Sequence, residues 1–236
     1  MPSARNLPAW MRPVEEQPAI AAHIEQRLIE NQSRIISALG KEPLLVYGYL
    51  CQQYQVGFVD QNLLFQFVYR AYYGLDRAGL SDTFKSEYFK LMEVARRKQG
   101  KVDIKALAEQ LRQFKATRSY KNDGEPELRE VEVFPFSFLT KLASTVNIHY
   151  PICDQYVGDV LGFDTENLGK TWEERLDKGL RIYTWLRDLY ETLLPRVQIQ
   201  LSLIALSARY SVVLPDAKAL DFLLWQAGKL GIVAAP

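Results

Sequence analysis

Cysteine and histidine are nearly absent from this chain, with two of each among 236 residues. Cys51 and Cys153 are too few for a disulfide framework, which points to a reducing compartment. His23 and His149 stand without other ligands at metal-binding spacing, so no metal site is expected. No apolar run approaches the ~20 residues of a membrane span. The opening Met1-Pro2-Ser3-Ala4-Arg5-Asn6 has no signal-peptide hydrophobic core behind it. An excess of one charge is missing too, with 29 Lys+Arg against 28 Asp+Glu. There is no GxGxxG, no Walker loop and no GxSxG, so neither a nucleotide cofactor nor a hydrolase elbow is expected. These absences leave a soluble cytoplasmic protein with no cofactor and no membrane partner.

What is present is a globular composition. The chain is 48% hydrophobic and 12% aromatic, which excludes disorder, and its length suffices to bury a core. Most of it has a helical period. From Ala19 to Leu39 the apolar residues Ile24, Leu28, Ile35 and Leu39 recur with charges between them, and Gly40 stands where a helix would end. From Trp172 to Leu194, steps of three and four place Trp172, Leu176, Leu180, Tyr183, Leu186, Tyr190 and Leu193 on one face, closed by Pro195. A last helix opens at Pro215-Asp216 and runs to Gly228. Further helices are expected around 43–55, 60–74, 84–98 and 103–116, with Gly57, Gly74, Gly79 and Gly100 as breaks. Val197, Ile199, Leu201 and Leu203 alternate as a half-buried strand would. Leu201, Ile204 and Ala208 also share a helical face, and with helices on both sides the helix is preferred. Residues 117–135 are expected to form a long loop. The fold expected is all-α: one domain over residues 1–236, with room for two lobes and a cleft.

Charge is uneven locally. Nine Lys/Arg lie between Arg96 and Lys121 against Asp103 and Glu109, and the acidic run Asp123, Glu125, Glu127, Glu130 and Glu132 follows. Such a basic run suits either a phosphate-contacting surface or a solvated face answered by the acidic loop, and charge alone favours the second.

Chemistry concentrates in residues 134–157. Lys141 lies in an apolar setting shortly after Ser137, a residue type that caps helix N-termini. A helix dipole and apolar surroundings both disfavour the charged amine, and a neutral amine is a nucleophile. Asp154 follows Tyr150-Pro151-Ile152 in a turn opening the next segment, where backbone N–H groups can aim a carboxylate. A lysine and a carboxylate in one cleft are a minimal kit for chemistry at a sugar C1′. An ion pair between neighbouring helices would account for the same two residues. His149 and Cys153 flank the turn; a surface or half-buried histidine and a small buried hydrophobe are the simpler readings. Phe65, Phe67, Tyr69, Tyr72, Tyr73 and Tyr88 have the spacing of core aromatics rather than of base-stacking residues.

Ser137-Phe138-Leu139-Thr140-Lys141, followed by Tyr150-Pro151-Ile152-Cys153-Asp154, resembles the corresponding segment of helix-hairpin-helix DNA glycosylases. The nearest likeness is to a bacterial branch similar to 8-oxoguanine DNA glycosylase. Leu220-Asp221-Phe222-Leu223-Leu224-Trp225 and Gly228-Lys229 resemble its closing helix, so the likeness spans roughly residues 134–230. It implies an all-α fold acting on duplex DNA that carries a modified or damaged base. Lys141 would be the lyase nucleophile and Asp154 the catalytic aspartate. Phe138, Asp221 and Trp225 would border the base pocket, and Lys115, Arg118, Lys121, Ser137 and Thr140 would meet DNA. One element departs from the pattern: Val133-Phe134-Pro135-Phe136 occupies the place of the glycine-bearing hairpin that lets backbone amides grip a phosphate. That departure motivates an alternative, a helical DNA-binding or protein-interaction module without the chemistry. A small-molecule enzyme using the Lys–Asp pair is a third reading.

Overall fold

A computed structural model of the chain describes residues 7–98, 101–122 and 125–235, with side chains left aside at 118–122 and 125–126. In chain order the helices begin with α1 (Gln17–Glu30), α2 (Gln32–Leu39), α3 (Glu42–Val56), α4 (Leu63–Tyr73), α5 (Asp82–Arg97) and α6 (Ile104–Leu111). A hairpin of β1 (Ala116–Asn122) and β2 (Glu125–Val131) follows. The chain ends with α7 (Phe136–Val146), α8 (Gln155–Leu161), α9 (Trp172–Leu193), α10 (Val197–Tyr210) and α11 (Asp216–Lys229). The fold is all-α, as expected. Among the described residues no helix is long and apolar enough to cross a membrane. The chain divides into two compact units, one built from the chain up to Glu42 and from Ile148 onward, the other from Pro43–Asn147.

In the first unit α11 is the core helix. Ala217 through Leu224 and Gln226 through Gly228 are all buried, and α11 packs on α1, α2, α8 and α10. Gly228 sets its approach to α8, because a Cβ there would overlap the Tyr156 carbonyl. Past α11, the N–H groups of Ala234 and Ala235 bond the Val160 carbonyl at 2.9 and 3.0 Å, tying the tail to α8. The long stripe of α9 forms as its period predicts. It starts at a capping box, with the Thr171 hydroxyl on the Glu174 N–H and the Glu174 carboxylate on the Thr171 N–H, which satisfies two otherwise orphaned donors. The stretch 197–210 is helical: Ile199, Ser202, Leu203 and Leu206 face the core, while Val197, Leu201 and Ile204 are exposed. Its period-2 alternation is therefore overridden by helical neighbours. The run from Ala19 to Leu39 divides in two at Asn31, whose side-chain amide bonds the Arg27 carbonyl at 2.9 Å.

The second unit holds α3–α7 and the hairpin, whose presence corrects the expected loop at 117–135. Residues Ala116–Asn122 and Glu125–Val131 pair antiparallel, with Thr117 opposite Glu130 and Asn122 opposite Glu125. Polar residues on both faces hide the strand period, although Asp123-Gly124 is a sequence signal for a two-residue turn. The Thr117 N–H bonds the Gly79 carbonyl at 2.9 Å, so the hairpin is anchored at its base. Gly74 and Gly79 adopt the left-handed conformation at the breaks predicted for them.

A buried carboxylate organises the turn between α3 and α4. Glu93, 2% exposed, accepts from Arg96 at 2.7 and 2.9 Å, from Arg97 at 2.8 Å and from the Val59 N–H at 3.3 Å. The Arg96 guanidinium lies against Gly57, at φ 90°, where any Cβ would strike it. Phe58, next in the chain, is held at φ 56° with its ring exposed, a conformation that costs a β-carbon residue about 1 kcal/mol or more.

The Arg96 guanidinium, bonded to Glu93, holds that carboxyl down at about 2 against an ordinary 4.5, with Arg97 and the Val59 N–H adding to the effect. The folded form thus binds the proton less readily than the unfolded chain. The stabilisation is complete above pH 4.5 and is lost as pH falls toward 2, and it is of order 3 kcal/mol. Glu93→Gln should lower stability by that amount at pH 7 and converge on the wild type as pH falls, read by urea unfolding across the range. A gap that stays constant down to pH 2.5 would contradict the assignment.

Candidate functional site

Lys141 sits in the second turn of α7, in the second unit. It is 9% exposed. Its Nζ lies 5.1 Å from the Phe138 ring centre, 5.8 Å from that of Tyr73, and 3.5 Å from the Tyr73 carbonyl. Phe138 and Lys141 share a face because they are three residues apart on one helix. The helix itself is held by hydroxyls of Tyr88 and Thr145. Tyr88 donates to the Phe138 carbonyl at 2.8 Å, Thr145 donates to the Lys141 carbonyl at 2.8 Å, and the Tyr69 hydroxyl stands 3.0 Å from that of Tyr88 and 3.2 Å from that of Thr145. Burial pushes the Tyr69 and Tyr88 phenols well above their usual range, so both act as neutral donors.

Ser137 does not cap α7, contrary to its sequence signal. The helix begins two residues earlier than that cap would place it, at Phe136, with Pro135 at the cap position and no side-chain cap bond. The reason lies in Phe134-Pro135-Phe136: the Phe136 N–H bonds the Phe134 carbonyl at 2.9 Å, and the Phe134 and Phe136 rings stack at 5.8 Å. An apolar turn thus stands where the resembled family has its glycine hairpin. Thr140 is fully buried, its hydroxyl donating to the Ser137 carbonyl at 3.0 Å, so it presents no surface to a partner. Ser137 and Phe138 are half-buried and Lys115 is exposed, while the side chains of Arg118 and Lys121 lie outside the described residues. Part of the basic run is paired with carboxylates of the same unit, Arg96 and Arg97 with the buried Glu93 and Arg112 with the exposed Glu132 at 3.4 Å.

Asp154 belongs to the first unit. It is the N-cap of α8, with extended backbone (φ −129°, ψ −178°) and Oδ1 accepting the Val157 N–H at 3.2 Å. The turn leading to it is bound to α11. Asp221, 6% exposed, accepts on Oδ1 from the Ile152 N–H at 3.0 Å and from the Tyr190 hydroxyl at 2.6 Å. Its Oδ2 meets Lys218 Nζ at 2.5 Å, and the same ammonium donates to the Tyr150 carbonyl at 2.7 Å. Burial raises the Asp221 carboxyl above its ordinary value, while the neighbouring Lys218 charge and the hydrogen bonds of Lys218, Tyr190 and the Ile152 N–H oppose that rise. Asp221, expected beside a base pocket, is thus engaged in a buried polar cluster. Trp225, one turn further, is half-buried; its ring meets Tyr156 edge-on at 6.1 Å, and the Lys229 ammonium lies 4.3 Å from its centre. Arg187 covers the Tyr150 ring at 4.8 Å.

Lys218 was not among the residues singled out from the sequence, and Tyr190 and Tyr73 were read there only as apolar-face and core aromatics. The signal for Lys218 was available: a lysine and an aspartate three apart in the otherwise apolar Ala217–Leu224 must share the buried face of any helix there. Tyr190 sits in the apolar stripe of α9, where nothing distinguishes a core ring from one whose hydroxyl is used. Among the described residues no group of three or more His, Cys, Asp or Glu is placed to hold a metal.

The cap role and any chemical role of Asp154 are separable by substitution. Asn caps as well as Asp, whereas Ala costs about 1 kcal/mol. Asp154→Asn should leave urea stability within a few tenths of a kcal/mol, and Asp154→Ala should lose about 1 kcal/mol. Equal losses in both would mean that the carboxylate charge, rather than the cap, stabilises α8. Comparison of the chain with family models, with characterised proteins and with solved structures finds no match.

Proposed function

We propose that the protein is a DNA glycosylase with associated lyase chemistry, acting on duplex DNA that carries a modified or damaged base. A base inside the stack is out of reach, so it must be turned out before reaction. As the glycosidic bond breaks, the base leaves with the bonding electron pair, and the Asp154 carboxylate stabilises the positive charge on the sugar. In the chemistry that the resemblance implies for Lys141, its amine bonds to C1′, gives up a proton and, as the sugar ring opens, forms an imine. The observation that carries this reading is the cap at Asp154, a carboxylate whose approach turn is bonded to a buried charge pair. Lys141, buried against two ring faces on a helix fixed by hydroxyls, supports it, as does the resemblance of both fragments.

The alternative, a helical binding module without the chemistry, draws support from the apolar turn at Val133–Phe136, which lacks the glycines for close backbone approach to a phosphate.

Borohydride trapping separates the two. With duplex containing an abasic site, the wild type should become covalently linked to DNA and Lys141→Gln should not. Asp154→Asn, which preserves the cap, should slow base release by about 100-fold or more. A folded wild type that neither cross-links to abasic DNA nor releases any modified base tried would end the enzyme reading.

A further inference from the structure

The buried charges on α11 exceed what packing requires. A buried ion pair is no better for stability than apolar side chains of similar volume, and replacing one is often neutral or favourable. Lys218 is 1% exposed and sits three residues before Asp221 on the same helix. A methionine and a leucine would fill that space. They would not supply what the pair supplies, which is one donor to the Tyr150 carbonyl at 2.7 Å and one acceptor for the Ile152 N–H at 3.0 Å. Those two backbone groups lie two residues apart in the turn that Pro151 keeps out of regular structure, and Asp154 comes two residues later. On the far side of Asp154, Tyr156 rests on Gly228 of the same helix. Helix α11 therefore grips the chain on both sides of the Asp154 carboxylate.

We propose that Lys218 and Asp221 form a positioning pair: by hydrogen-bonding the Tyr150–Ile152 backbone, they hold Asp154 in the orientation in which its carboxylate both caps α8 and faces the substrate sugar. Tyr190 completes the pair by donating to the Asp221 oxygen that also receives the Ile152 N–H. The pair touches neither substrate nor reacting atoms in this scheme. Its catalytic consequence rests on the glycosylase reading; its structural consequence, a fixed turn, does not.

The charge and the hydrogen bonds separate in two double variants. Lys218→Gln with Asp221→Asn removes both charges and keeps a side-chain donor for the Tyr150 carbonyl and an oxygen for Ile152 and Tyr190. Lys218→Met with Asp221→Leu removes the donor and the oxygen as well. Amide exchange at Val157, whose N–H is capped by Asp154, should stay within about threefold of wild type in the asparagine variant and accelerate at least about tenfold in the leucine variant. Amides in the middle of α9 should be unchanged in both. Base release should follow the same order, with kcat reduced about 100-fold in the leucine variant while KM stays within about threefold. Trapping on a preformed abasic site, which needs no base departure, should survive in both.

Unchanged Val157 exchange in a folded leucine variant would overturn the proposal, and so would loss of Val157 protection in the asparagine variant, which decides alone if the leucine variant does not fold. If the wild type itself releases no base, the glycosylase reading fails and the exchange result still decides whether the pair fixes the turn.

Discussion

The carboxylate of Asp221 receives three donors from three parts of the chain: Lys218 on its own helix, Tyr190 on α9, and the Ile152 backbone. A carboxylate removed from water costs several kcal/mol unless it is met in this way, and removing one partner of such a set leaves the others exposed to the same penalty. The cluster is therefore all-or-none. It joins the core helix of the first unit to the turn before α8, so the N-terminus of α8 and the side chain at its cap inherit their placement from α11. The glycine contact at Gly228 works in the same direction, bringing the two helices as close as backbone atoms allow.

The second unit solves a similar problem with another buried carboxylate. Glu93 collects Arg96, Arg97 and the Val59 N–H, and it thereby fixes an irregular turn to a regular helix. Two of the cations that make residues 96–121 look like a phosphate-binding surface are used in this clamp. Helix α7 is held instead by neutral groups, a chain of tyrosine and threonine hydroxyls that ends on the carbonyls of Phe138 and Lys141. The lysine's surroundings are then aromatic faces and a backbone carbonyl, set by the helix on which it stands.

Helices with a strong period and explicit ends were legible in the sequence. Trp172–Leu193 carries its stripe, its capping box and its closing proline in plain order, and Gly40, Gly74 and Gly79 mark ends where a positive φ is needed. The hairpin was not legible, because a strand with polar residues on both faces has no alternation to detect. The start of α7 was misplaced by two residues, since Ser137 has the chemistry of a cap while the stacked Phe134 and Phe136 set the turn. At the site, Lys141 and Asp154 could be named from residue type and order. The partners of Asp154's turn could not be inferred from Asp154 itself, because Tyr190 and Lys218 lie 36 and 64 positions beyond it. Contacts at that separation are written in the packing of α9 and α11, which local pattern does not specify.

Asp221 on α11 bonds the backbone of the turn before Asp154, which makes that turn part of the core. Native-state hydrogen exchange of the Ile152 amide in the unmodified protein reads this directly. Ile152, although outside any helix or strand, should exchange with an opening free energy close to that of the buried amides of α11. Exchange at the rate of an open surface loop would show that Asp221 does not hold the turn, and the placement of Asp154 would lose its physical basis.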